Sequence, residues 1–162
     1  MKTFLALSAL AALFQSVSCL NGGVYHIKSS IMNNVLADQS DQGPLGFFDS
    51  IDVPSQNWVF TPIEEGSNDF KIQSGLGQYI NCGNVEDKVC YPGKAEEGPY
   101  RVELVGDNKY AIKRTDLGLS LDALGEILVI SQYEGHKSQQ FELIPVQWYT
   151  IPTIVLCKRE KR

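Results

Sequence analysis

The chain has 162 residues, 14 lysines and arginines against 19 aspartates and glutamates, and a formal net charge of −5. That length suits one domain around one core. An acidic chain whose only basic run is at its C-terminus excludes nucleic acid and an anionic membrane surface as partners, because both reward basic patches.

The chain opens with Met1-Lys2 and an apolar stretch from Phe4 to Phe14, followed by small residues at Ser16, Ser18 and Cys19. This order predicts a secretory signal peptide over 1–19 and an extracellular, oxidising destination. The stretch is shorter than the roughly 20 residues that span a bilayer. Next comes Val24-Tyr25-His26-Ile27, bulky on every second position, which predicts a strand. Leu36-Ala37-Asp38 precedes the turn Asp41-Gln42-Gly43-Pro44, and Gln56-Asn57-Trp58-Val59-Phe60 restores the alternation. Glu64-Glu65 lies beside the turn Gly66-Ser67-Asn68, and its charges are expected to be solvated.

The pattern then restarts. Phe70-Lys71-Ile72 repeats the aromatic–spacer–isoleucine opening of Tyr25-His26-Ile27, and Tyr110-Ala111-Ile112 repeats it again. The closing aromatics are Trp58, Tyr100 and Phe141. A mark that recurs at intervals of about 40 residues is the signature of a repeat architecture, in which no unit buries its apolar face alone. Propellers ordinarily need at least four blades, so three repeats of four short strands predict an all-β chain folded as a β-trefoil over 22–145. Six strands would form the barrel and six would cap it as hairpins. In the second repeat Cys82 and Cys90 either close a small loop or stay as two thiols, and Glu96-Glu97 is expected to be solvated loop charge. Residues 146–162 fall outside the repeat count and are expected to be a disordered extension.

The closing marks Gln56-Asn57-Trp58 and Gln139-Gln140-Phe141 resemble the repeat signature of ricin-B-like trefoils. Phe70-Lys71-Ile72-Gln73-Ser74-Gly75, with Tyr79-Ile80-Asn81-Cys82-Gly83-Asn84, resembles the fungal cospin-like serine protease inhibitors, to which the mycocypin inhibitors of cysteine proteases are more distantly similar. The resemblance implies a secreted inhibitor whose loop between the second and third strands enters a protease cleft. A stiff loop binds tightly because little entropy remains to be lost. The matching residues are Gly43, Pro44, Leu45, Gly46 and Phe47. No lysine or arginine stands between Asp38 and Phe60, so Leu45 or Phe47 would fill an apolar pocket, as in chymotrypsin- or subtilisin-like serine endopeptidases.

The ricin-type resemblance implies a glycan partner instead. Such sites use an aspartate, an aromatic platform and an amide. Asp38 with Phe47 or Phe48 and Gln56 would supply one, and Asp122 with Tyr133 and Gln132 or Gln139 another. A secreted effector that recognises a host protein is the third reading. Catalysis finds no nucleophile–base arrangement or phosphate-cradling loop, and His26 and His136 lack zinc-ligand spacing to a cysteine. A monomer without cofactor or metal is therefore expected.

Overall fold

The computed structural model describes residues 20–146, so the signal-peptide expectation for 1–19 and the extension after Val146 lie outside the described residues. Among the described residues, helix is confined to three 3-10 turns, at Ser40–Gln42, Pro54–Gln56 and Lys137–Gln139. The first repeat contributes β1 (Gly23–Ser29), β2 (Val35–Ala37), β3 (Gly46–Phe48) and β4 (Trp58–Pro62). The second contributes β5 (Asp69–Ser74), β6 (Tyr79–Asn81), β7 (Lys88–Val89), β8 (Tyr91–Gly93) and β9 (Tyr100–Gly106). The third contributes β10 (Lys109–Arg114), β11 (Leu119–Leu124), β12 (Ile127–Gln132) and β13 (Phe141–Pro145).

The pairing closes a ring. β1 pairs with β4, β4 with β5, β5 with β9, β9 with β10, β10 with β13, and β13 returns to β1, all antiparallel. A closed ring leaves its six strands no free edge. The hairpins β2–β3, β6–β8 and β11–β12 cap one end, and β12 ties the cap together by pairing with β3 and β7. This is the β-trefoil that the repeats predict. Among the described residues there are thirteen strands where twelve were expected, because the third strand of repeat two divides at Cys90. The Cys90 N–H donates to the Leu128 carbonyl, and its own carbonyl accepts from the Leu45 N–H, so its backbone serves the two neighbouring repeats.

The repeat marks form the core. Ile27, Trp58, Phe60, Phe70, Ile72, Tyr100, Ile112 and Phe141 are buried in one cluster with Leu36, Phe47, Ile80, Leu121 and Ile130 from the cap. Phe60 meets Tyr25 and Phe70 edge-on, with ring centroids 5.3 and 5.9 Å apart, a favoured arrangement for ring quadrupoles. The closing aromatics also carry the threefold pattern. Trp58 Nε1 donates to the Leu36 carbonyl at 2.9 Å, and the Tyr100 hydroxyl donates to the matching Ile80 carbonyl at 3.1 Å. Phe141 has no donor, and the third carbonyl of the set, that of Leu121, accepts from the Ser120 hydroxyl. Burial pushes the Tyr100 phenol well above its ordinary pKa, so it stays a donor.

Cys82 and Cys90 are joined as a disulfide, which resolves the alternative that the sequence left open. In the chain-entropy account, closing so short a loop removes denatured-state freedom equivalent to about 2–3 kcal/mol. The double variant Cys82→Ala/Cys90→Ala should lose about that much in chemical denaturation, and adding reductant to the variant should change nothing further.

Candidate functional site

The pairing fixes which residues of the three cap hairpins are equivalent. Lys28 pairs with Val35, Gln73 with Tyr79 and Lys113 with Ser120, so Val35, Tyr79 and Ser120 match. Counting on, Leu36, Ile80 and Leu121 form a buried row. The next row lies on the opposite face of each hairpin and holds Ala37, Asn81 and Asp122, of which Ala37 is buried and the other two are partly exposed. The row after it turns inward and holds Asp38, Cys82 and Ala123. Asp38 and Asp122 are thus one position out of register with each other, and a one-residue slip reverses the face on which a side chain lies.

That slip corrects the first sugar site. Asp38 is only 3% exposed. Its Oδ2 accepts from the Ser74 hydroxyl at 2.5 Å and its Oδ1 from the Ser40 N–H at 2.7 Å, so both oxygens are engaged inside the domain. Gln56 is buried too, with Oε1 accepting from the Ile51 N–H and Nε2 donating to the Asp49 carbonyl, and it holds the loop between β3 and β4. Phe47 stacks on Phe141 inside the core, so it offers no platform. Phe48, on the opposite face of β3, is exposed.

The expected inhibitory loop is corrected for the same reason. Leu45 and Phe47 are 0% and 1% exposed, and Gly46 between them packs against the Phe48 ring and the Glu126 carbonyl. The Leu45 backbone pairs with Cys90 on one side and Leu128 on the other. Gly43 and Pro44 remain half-buried at the surface, and the Gln39 side chain donates to the Pro44 carbonyl. Neither Leu45 nor Phe47 can enter a protease pocket without unpacking the cap. The alternation Leu45-Gly46-Phe47 is the signal that shows this in the sequence.

In the third repeat two of the expected residues, Asp122 and Gln139, are linked through Ser131. Asp122 on β11 is partly exposed, and its Oδ2 accepts from the Ser131 hydroxyl on β12 at 2.9 Å. Ser131 Oγ in turn accepts from Gln139 Nε2 at 3.0 Å. Gln139 is buried, and its Oε1 accepts from the Glu134 and Gly135 N–H groups, so it is the counterpart of Gln56 and shapes the loop after β12. Gln132 is exposed at the end of β12, and its carbonyl accepts from Gln139 Nε2. Among the described residues no protein donor uses Asp122 Oδ1. Tyr133 follows just past the end of β12, with Lys113 Nζ 3.8 Å from its ring centroid. Lys113 also pairs with Glu103 at 2.5 Å. One face of the Tyr133 ring is therefore covered by an ammonium group, and only the other can serve as a platform.

The matching positions elsewhere lack this chemistry. Ala37 has no polar group. Asn81 is folded over Gly93, where an added Cβ would sit 2.0 Å from its Nδ2, and Asn81 Oδ1 is buried without a hydrogen-bond partner.

The sequence reading missed three of these partners. Ser131 and Ser74 are serines in strands, which carry no spacing signal, and Lys113 reaches Tyr133 only through the fold. It also misread Glu97. That carboxylate accepts from the Cys82 and Gly83 N–H groups and from Arg114, whose side chain is 1% exposed and also binds Asp116. Glu96 pairs with Lys71. Among the described residues no group of His, Cys, Asp and Glu is arranged to hold a metal ion.

No protein-family model matches the chain, and no curated protein matches it. Solved structures do. The Rhizoctonia solani agglutinin is 17% identical, with a TM-score of 0.68 over 80% of this chain and 99% of its own. A Macrolepiota procera ricin B-like lectin in complex with lactose is 12% identical, with a TM-score of 0.67 over 80% of this chain and 99% of its own. SeviL bound to the asialo-GM1 saccharide is 17% identical, with a TM-score of 0.65 over 78% of this chain and 100% of its own. At such identities the likeness speaks for architecture, and together with the closed ring and its three hairpins it shows that this chain is a β-trefoil.

Proposed function

We propose that this protein is a carbohydrate-binding module, and that its sugar site lies on the third cap hairpin at Asp122. One observation carries the reading. Of the three equivalent positions only Asp122 is an acid, and it is oriented by Ser131 while its other oxygen accepts no bond from the described residues. A carboxylate with one oxygen anchored and one available suits a pair of sugar hydroxyls, since hydrogen bonds to a charged acceptor are about twice as strong as neutral ones. The available face of Tyr133 would take the C–H surface of the ring, and Lys113 would donate at the rim. The similar folds bound to lactose and to the asialo-GM1 saccharide support a glycan ligand. The chain would act by binding alone, and secretion, expected from 1–19, would place it where glycans are displayed.

A panel of immobilised glycans followed by titration with lactose tests this. Asp122→Asn should weaken binding about ten- to a hundredfold, the loss typical of a charge-assisted hydrogen bond, with an unchanged melting temperature. Asp38→Asn should do the reverse, lowering the melting temperature and leaving affinity intact. Binding that survives Asp122→Asn would refute the assignment. Absence of any glycan binding would return the chain to recognition of a protein partner.

A further inference from the structure

The face that carries Asp122 continues into an apolar strip. Leu124 lies on the same side of β11, about 7 Å further along the strand, and is 65% exposed. Ile127 is directly opposite Leu124 across the hairpin, and Gly46 of β3 is directly opposite Ile127. Directly opposed residues project to one side of a sheet. The Phe48 ring folds over Gly46, its Cε2 2.9 Å from where a Cβ would stand, and is 40% exposed. Leu124, Ile127 and Phe48 thus form one apolar band that starts beside Asp122 and crosses from the third repeat to the first. Glycine at 46 lets the ring lie close, beside the Gln39 amide and the Glu126 carbonyl, and a larger residue there would displace it. The polar part of the face, with Ser131, Lys113 and Tyr133, lies on the other side of Asp122.

Resting on the reading of Asp122 as a sugar site, we propose that this band receives the apolar aglycone of the bound glycoside, so that the preferred ligand is a glycolipid or alkyl glycoside and not a free sugar. The charges beside the band select among apolar partners. Glu126 is exposed in the turn that joins Leu124 to Ile127, and Asp49 is exposed next to Phe48. Two carboxylates at the rim repel an anionic lipid headgroup and leave a neutral glycoside as the partner that fits. The reach also fits, because an extended octyl chain is about as long as the distance from Asp122 across Leu124 to Ile127.

The test compares methyl β-lactoside with octyl β-lactoside by calorimetric titration of the full chain, below the concentration at which the octyl compound forms micelles. Octyl β-lactoside should bind about tenfold more tightly, a modest return on burying a short alkyl chain. Leu124→Ser and Phe48→Ser should each cut that advantage while leaving the affinity for methyl β-lactoside unchanged. Because both side chains are exposed, a melting curve for each variant verifies that the fold is retained. Equal affinities for the two lactosides would overturn the aglycone site and leave the sugar reading standing. Failure of both to bind would overturn the two together. Octyl binding that persists in Asp122→Asn would mean a plain apolar patch, and would also overturn the proposal.

Discussion

Trp58→Ala is expected to cost about 3–5 kcal/mol, the range for deleting a large buried aromatic. Trp58 is fully buried, and its indole N–H satisfies the Leu36 carbonyl in the cap. Alanine would leave a cavity where barrel and cap meet and would also strip that carbonyl of its donor. Trp58→Phe separates the two losses. It keeps most of the volume, and repeat three shows that a phenylalanine is accepted at the equivalent position, where Ser120 supplies the missing donor to Leu121. Its cost should fall to about 1–3 kcal/mol, the penalty for an unsatisfied buried acceptor. Chemical denaturation of the three proteins reads both numbers. A Trp58→Phe cost equal to that of Trp58→Ala would show that the hydrogen bond and not packing sets the requirement.

Arg114→Met is the second large effect. The guanidinium is buried between Asp116, with two hydrogen bonds at 2.8 and 2.9 Å, and Glu97, at 3.2 Å. Its partners are partly solvated, with side chains 48% and 25% exposed, so they can regain water when the arginine is lost. The cost should therefore fall below the 3–5 kcal/mol of breaking a fully buried pair, to about 2–3 kcal/mol. The pH dependence gives an independent readout. The hydrogen bond from Arg114 holds the Asp116 carboxyl below its ordinary pKa. A carboxyl depressed in the folded state binds fewer protons there than when unfolded. Its contribution is present above the ordinary carboxylate pKa and is lost as pH falls through the folded value. The acid limb of the stability profile should be shallower in Arg114→Met than in the unaltered chain, and identical limbs would show that Asp116 takes nothing from Arg114.

Much of the architecture was legible because repetition amplifies weak signals. A single Tyr25-His26-Ile27 says only strand, but its echo at Phe70 and Tyr110, with a closing aromatic each time, says that three units share one core. The site was harder to read because it depends on parity. Leu36-Ala37-Asp38 and Leu121-Asp122 both offer an acid just after a leucine, yet only counting from the buried leucine separates the inward carboxylate from the outward one. The same parity buries Leu45 and Phe47, in a loop whose proline and glycines had suggested exposure. Glu97 was misread for a different reason. Its partners, Cys82, Gly83 and Arg114, lie far from it in the chain, and no local pattern distinguishes an acid that caps backbone amides from one that faces solvent.

The closure of the barrel by β1 and β13 has a consequence for synthesis. The first strand of the domain to leave the ribosome gains partners when β2 and β4 emerge, but its pairing with β13 waits until the last strand of the domain is made. That final pairing joins segments separated by almost the whole domain, so its loop-closure entropy is met late and folding is expected to be slow for a domain of this size. Throughout that interval a nascent chain exposes an unpaired strand edge, the feature most prone to pairing with the wrong molecule.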